Sequence, residues 1–410
     1  MHSGVCCLCK EHYAIERSQY IPMSIQPFTI TISQATLDDL RERLARTCWP
    51  DEAENAGWNY GTNLGYLKEL VDYWQNEYDW RAQETKLNQF AQFRADIDGG
   101  RIHFLHVRGK GPNPTPLLLI HGWPDSFYRF HKIIPLLTDP ESAGDNPLDS
   151  FDVIVPSLPG FGFSDRPHFP GGMKSLRAAS LLSKLMTEVL GYKRYAVGGG
   201  DIGSRVTRLL ALAHPEQVLG IHLTDIGFPP EIAFPPDVPN PSPAEGRFLG
   251  SASMWFFQEG AYAALQTTKP QTISYALSDS PVGLAGWFVE KFRAWSDCDG
   301  EIEKSYTKDE LLTNLMIYWA TGTISSSARL YHEDGLQSAP QLSVGQYIEV
   351  PAGVALFPKD LTYPPRELGE RFLRVARWTE MPRGGHFAAL EVPELLVEDL
   401  RAFFRPFRLG

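Results

Sequence analysis

Residues 195–204 limit the fold of this chain more than any other stretch. Tyr195-Ala-Val197 reads as a short buried strand, Gly198-Gly-Gly-Asp-Ile-Gly-Ser204 follows, and Val206, Leu209, Leu210 and Leu212 then recur at helical spacing. Strand, glycine-rich turn and helix is the setting of a nucleophile elbow, in which one reactive side chain stands on a strained turn between small neighbours. Here the central residue is Asp201, with Gly199 and Gly203 two positions away on either side. Glycine belongs there because nothing larger fits between the strand and the helix. The turn would raise Asp201 at the carboxyl end of a parallel sheet, beside a helix N-terminus that is expected to keep its carboxylate ionised. The simpler alternative is a glycine-rich turn whose Asp only caps the next helix. The rest of the chain decides between them.

Fully apolar runs at Thr115–Ile120 and Phe151–Val155 have the pattern of strands buried on both faces. Further strands are predicted at Val218–Leu223, Val350–Phe357 and Leu373–Met381. Helices are predicted around Leu182–Val189 and over Pro393–Phe404. Strands alternating with helices argue an α/β fold with a mostly parallel central sheet. Residues 93–107 read as a hairpin turning at Gly99-Gly100. Upstream, Phe28–Ile32 alternates as a strand would. Thr36-Leu-Asp-Asp39 resembles a capping box, for a helix ended by Pro50, and Tyr66, Leu67, Leu70, Val71 and Trp74 mark a second helix. Residues 226–345 break the rhythm with a proline-rich passage and aromatic helical segments around Tyr262, Trp287, Trp295 and Tyr318-Trp319. The expected organisation is a disordered tail over 1–24, an N-terminal helical extension over 25–92, a core over 93–225 and 346–410, and a helical cap over 226–345. The cap would cover the carboxyl edge of the sheet, where open α/β sheets bind ligands.

Bulk features exclude several classes. Net charge is −11 and the basic residues are scattered, so no nucleic-acid face is expected. No run of about 18 apolar residues occurs, so no membrane span is expected. Residues 1–24 lack the apolar core of a secretory signal, and a soluble, cytoplasmic protein is the expectation. Of five cysteines, three (Cys6, Cys7, Cys9) crowd the N-terminus near His12. Their spacing suits neither a disulfide framework nor a zinc site, so no metal is expected there.

Several features fall at predicted strand ends. His121-Gly-Trp-Pro124 follows the strand at 115–120. The backbone N–H of Trp123, with that of Ile202, is placed to hold an oxyanion, while His121 reads as a structural histidine. Gly384-Gly385-His386-Phe387 lies between the last strand and the last helix, where a histidine can reach the elbow. Phe357-Pro-Lys-Asp360 follows another strand, and Asp360 is preferred over Asp225 as the carboxylate that orients His386. The chain order Asp201, Asp360, His386 follows the nucleophile, acid, base order of an elbow enzyme. A cap phenol can donate a hydrogen bond and then a proton. Tyr262 and Tyr331 are candidates, but Tyr275, Tyr306 and Tyr318 cannot be separated from them by pattern.

These motifs together resemble an epoxide hydrolase of the α/β-hydrolase superfamily, in its microsomal-type branch with an N-terminal extension. The resemblance runs from about Pro27 to Phe407. It is carried by Pro27-Phe-Thr-Ile-Thr-Ile32, Cys48-Trp-Pro-Asp51, His121-Gly-Trp-Pro124 and Pro159-Gly-Phe-Gly-Phe-Ser164. Gly199-Gly-Asp-Ile-Gly203, Tyr275-Ala-Leu-Ser-Asp-Ser-Pro-Val-Gly283, Tyr318-Trp-Ala-Thr-Gly-Thr323, Phe357-Pro-Lys-Asp360 and Gly384-Gly-His-Phe-Ala-Ala-Leu-Glu391 complete it. It implies Asp201 as nucleophile, His386 as base, Asp360 as its acid partner, and Tyr262 and Tyr331 as donors to the epoxide oxygen. Microsomal relatives carry a membrane anchor, which is not expected here, and some use Glu where this chain has Asp360.

The reaction implied is attack of Asp201 on an epoxide carbon, followed by hydrolysis of the ester to a vicinal diol, with no cofactor or metal. The aromatic cap suggests an apolar or aromatic small-molecule epoxide, and a homodimer is allowed. The alternatives are a haloalkane dehalogenase, against which Ile202 stands where a halide-binding Trp is common, and a catalytically silent ligand-binding protein on the same fold.

Overall fold

The computed structural model describes residues 24–227, 241–335 and 346–408. The expected tail over 1–24 and the proline-rich opening of the cap fall almost entirely outside them.

Nine strands of the described residues form one sheet: β1 (Ile25–Phe28), β2 (Gln92–Ile97), β3 (Gly100–Val107), β4 (Thr115–Ile120), β5 (Phe151–Pro156), β6 (Tyr195–Gly199), β7 (Val218–Leu223), β8 (Ile348–Leu356) and β9 (Leu373–Glu380). Their order is β1-β2-β3-β5-β4-β6-β7-β8-β9. The β1, β2 and β3 side is antiparallel, and β5-β4-β6-β7-β8-β9 is parallel throughout. Every residue of β4, β5, β6 and β7 is buried, as strands covered on both faces must be. Strand order reverses around β4, so the chain leaving β4 and the chain leaving β6 open a crevice at the carboxyl edge.

Helices α1 (Gln34–Ala45), α2 (Leu64–Asn76) and α3 (Trp80–Leu87) precede the hairpin. Next come α4 (Ile133–Thr138), α5 (Ser175–Lys184) and α6 (Ile202–Ala213). Between β7 and β8 lie α7 (Pro243–Glu259), α8 (Ala261–Thr268), α9 (Pro270–Asp279), α10 (Pro281–Ala294), α11 (Lys308–Thr321) and α12 (Ile324–Gly335). The chain ends with α13 (Arg366–Glu370), α14 (Ala388–Glu391) and α15 (Pro393–Phe404). Among the described residues, no helix is long and apolar enough to cross a membrane.

Local readings near the N-terminus need correction. The first strand ends at Phe28, not Ile32. Beyond it, Ile30 donates its N–H to Asn88 Oδ1 (2.9 Å) and Ile32 to Glu84 Oε1 (2.7 Å). Side chains thus take the place of a partner strand, although both isoleucines stay buried. Helix α1 is capped by Ser33, whose hydroxyl accepts from Thr36 N–H, so Thr36 lies inside the helix. It stops at Ala45, ahead of Pro50. The hairpin turns at Asp98-Gly99 (φ 48° and 77°), and Gly100 already pairs with Ile97. Both turn residues have the positive φ of a two-residue hairpin loop.

Candidate active site

Asp201 stands between β6 and α6 with φ 57° and ψ −128°, and its side chain makes no capping bond to α6. The plain capping alternative therefore fails. The strain is held from below, because a Cβ at Gly203 would lie 1.9 Å from the Ile120 carbonyl oxygen. Asp201 also donates its N–H to Asp225 Oδ2 (2.6 Å), and Asp225 Oδ1 accepts from Gly227 N–H (3.0 Å). Asp225, the rival for the acid position, therefore secures the elbow backbone. Burial, then the charge of Asp360, pushes its carboxyl up to about 6.

The turn after β4 meets Asp201 from the other side. Trp123 N–H donates to Asp201 Oδ1 at 2.9 Å, and the N–H of Ile202, at the start of α6, also favours the ionised carboxylate. Gly122 is required there, since a Cβ would sit 2.3 Å from Asp201 Oδ1. The other oxygen, Oδ2, faces His386 Nε2 at 3.6 Å, beyond hydrogen-bonding distance. The Asp201 side chain is only 12% exposed. Burial outweighs the opposing charge of His386 and the two N–H groups, so its pKa lies above the ordinary carboxylate value. The N–H at the start of α6 acts in the expected direction, and burial is the larger effect.

His386 Nδ1 bonds Asp360 Oδ1 at 2.7 Å, and the imidazole is almost wholly buried. Burial alone would lower its pKa. The charge and hydrogen bond of Asp360 outweigh that, helped by Asp201, and the pKa ends above the usual histidine value. His386 Nε2 is buried and makes no hydrogen bond. The histidine loop is held by backbone bonds: His386 N–H donates to Trp295 O (2.8 Å), and the Glu391 carboxylate accepts from Gly385 and Phe387 N–H. His121 is buried, with Nδ1 at 2.9 Å from Gly122 O and Nε2 accepting from Leu158 N–H.

Packing separates the five tyrosines. Tyr275 is 71% exposed. Tyr306 pairs with Ser296 Oγ (2.5 Å), and Tyr318 donates to the Asp125 carbonyl (2.6 Å). Tyr262 stacks on Trp123 with centroids 5.0 Å apart, and Tyr331 stands edge-on to both rings. Burial raises the pKa of both phenols, and the charge of Asp201 adds to it. Both stay protonated donors at neutral pH.

Three supports were not foreseen. Arg129 and Asp125 form a buried ion pair that also joins two halves of the site: Asp125 Oδ1 accepts Gly122 N–H (2.8 Å), and Arg129 donates to the His386 carbonyl. Asn314 on α11 donates to Pro124 O (2.8 Å), beside the bond from Tyr318. Glu391, at the end of the Gly384–Glu391 stretch, holds the backbone of the histidine loop. Among the described residues, no group of three or more His, Cys, Asp or Glu side chains is placed to hold a metal ion.

Fold and site define an α/β hydrolase with a carboxylate at its elbow. Residues 25–130 match the family described as epoxide hydrolase N terminus, and residues 115–284 match the alpha/beta hydrolase fold. A relative from Stigmatella aurantiaca (strain DW4/3-1) is 44% identical over 94% of this chain and 86% of its own length. Epoxide hydrolase 1 of Sus scrofa is 37% identical over 93% and 88%. The solved structure of Aspergillus niger epoxide hydrolase superposes with a TM-score of 0.82 at 32% identity, covering 94% of this chain and 97% of that one. The chain belongs to the epoxide hydrolase family.

Proposed function

We propose that this epoxide hydrolase works through a covalent ester on Asp201, with His386 and Asp360 activating water and Tyr262 and Tyr331 serving the epoxide oxygen. The observation that carries the reading is the division of labour between the two oxygens of Asp201. Oδ1 is held by Trp123 N–H at 2.9 Å, which leaves Oδ2, on the His386 side, free to attack. Attack forms the Oδ2–carbon bond as the epoxide C–O bond breaks. The electron pair goes to the epoxide oxygen, which takes a proton from a tyrosine. No base is needed for this step, because a carboxylate is already a nucleophile.

The ester carbonyl oxygen is then Oδ1, already on the Trp123 N–H, and Ile202 N–H is the second donor in this reading. Water adds to its carbon while its proton passes to His386 Nε2, and the oxyanion forms on the atom that Trp123 N–H already holds, a donor of this kind being worth about 3–4 kcal/mol in comparable sites. Collapse expels the diol oxygen, which takes the hydroxyl proton and restores the carboxylate. The imidazolium proton returns through solvent to the tyrosine. Asp360, at 2.7 Å from Nδ1, favours the imidazolium that this step creates.

Trp123, whose N–H holds Asp201, packs with the rings of Tyr262 and Phe288, and Tyr262 with that of Trp295, an aromatic cluster that favours an apolar or aromatic epoxide. The core is read as 93–225 with 346–410, and the cap as 226–345. The test is intact-protein mass of His386→Gln after exposure to aryl epoxides. An adduct of one whole epoxide, absent when Asp201→Asn is added, is expected. An adduct that survives Asp201→Asn would sink the nucleophile assignment.

A further inference from the structure

One charged group in the helical layer is unused by this mechanism. Lys291, on α10, is buried, its side chain only 7% exposed. Its Nζ lies 4.9 Å from the centroid of the Tyr262 ring and 5.7 Å from that of Trp295. Its carboxylate partner is the adjacent Glu290, at 2.5 Å and 25% exposed. Withdrawing an ammonium from water is costly. A leucine or methionine would join α10 to α8 equally well without that cost. The cation has been set instead on the ring of a phenol that stacks on Trp123 and lies in the field of Asp201. When an epoxide C–O bond opens there, negative charge passes to the epoxide oxygen. As the phenol gives up its proton, that charge reaches the Tyr262 oxygen and ring. A cation over the ring is attracted more strongly to a phenolate than to a phenol.

We propose that Lys291 is a positioning residue that acts through Tyr262, stabilising the negative charge that builds on its oxygen while the ester on Asp201 forms. The proposal rests on the assignment of Asp201 and Tyr262 above. It goes beyond that assignment by making the first chemical step depend on a residue that touches no reacting atom.

The test measures ester formation alone, in the His386→Gln background, with excess enzyme and styrene oxide, read by intact mass against time. Lys291→Met should slow it about threefold to thirtyfold, the range open to a desolvated cation on a ring. Added to Tyr262→Phe, it should cost nothing further, because the group it serves is gone. Lys291→Arg should keep most of the rate. With His386 intact, hydrolysis of the preformed ester should be unchanged in Lys291→Met. Equal slowing with and without the Tyr262 hydroxyl, or equal slowing of both chemical steps, would show that Lys291 only packs and would overturn the proposal. Should Lys291→Met not fold, Glu290→Gln serves: relieved of its partner, the ammonium should speed ester formation, and an unchanged or slower rate counts against the idea. Absence of any ester in His386→Gln alone would remove the nucleophile assignment and this proposal together.

Discussion

Replacing Asp360 with asparagine should separate the two chemical steps. The carboxylate lies 2.7 Å from His386 Nδ1, and both groups are nearly inaccessible to solvent. At an effective dielectric constant of about 20, a charge pair at that distance attracts by 332/(20 × 2.7), or about 6 kcal/mol, a ceiling on what Asp360 gives the imidazolium. Asparagine keeps the shape and can still accept a hydrogen bond through its carbonyl, so part of that survives. A loss of about 10²- to 10⁴-fold in ester hydrolysis, or about 3–5 kcal/mol, is the expectation. Attack by Asp201 draws nothing from His386, so ester formation should fall far less. Rapid quenching followed by intact-mass measurement would then find the alkylated enzyme as the main species during turnover, where the parent enzyme holds less of it. The reasoning fails if turnover drops by that factor and no ester accumulates. Asp360 would then be needed for attack as well, or the whole loop would have moved. The Arg129 bond to the His386 carbonyl and the Glu391 bonds to the loop backbone argue against such a movement.

The other predictions concern what holds the site together. Arg129→Met leaves Asp125 charged and buried, and should cost about 3–5 kcal/mol in urea unfolding; Arg129→Met with Asp125→Asn should recover part of it. Gly203→Ala drives a Cβ to 1.9 Å from the Ile120 carbonyl, so the elbow must shift. Ester formation should collapse even where circular dichroism still reports a folded sheet. Asp399 is buried, but its bonds to His222, Thr379 and Arg377 outweigh that burial and lower its pKa to about 2. A folded pKa below the unfolded one means stability present above about pH 4 and lost as pH falls toward 2, about 2 kcal/mol for a shift of nearly two units. Asp399→Asn should flatten the stability profile in that window, and an unchanged acid limb would show that the cluster contributes nothing to it.

The parts of the molecule legible in the sequence are those governed by the backbone. A strained turn excludes every residue but glycine at two places, so Gly199 and Gly203 announce Asp201 before any contact is known. A strand buried on both faces must be apolar at every position, so β4 and β5 stand out. The reading weakens where a side chain stands in for the backbone. Ile30 and Ile32 keep the alternation of a strand, but their N–H groups go to Asn88 and Glu84, more than fifty residues away. It also weakens where one residue type recurs. The five candidate tyrosines lie between β7 and β8, and only the packing of α8 against α12 and Trp123 brings Tyr262 and Tyr331 to Asp201 while Tyr275 faces solvent.

What the sequence hides most thoroughly is the support of the oxyanion turn. Asn314 and Tyr318 reach the carbonyls of Pro124 and Asp125 across about 190 residues, and α11, which carries them, is itself tied to the N-terminal extension where Tyr73 and Gln83 donate to Asp309. On the mechanism proposed above, a segment with no chemistry of its own would bear on catalysis, because it anchors the helix that holds the turn whose N–H reaches Asp201. Asp309→Asn should test that chain of contacts. Asparagine offers only one acceptor oxygen where Tyr73 and Gln83 each use one of two. Loosening α11 should slow ester hydrolysis, which needs the Trp123 N–H in place, by several-fold, and should do so without loss of ester formation by Asp201. Unchanged hydrolysis, with the melting temperature lowered alone, would mean that the extension stabilises the fold and leaves the oxyanion turn to hold itself.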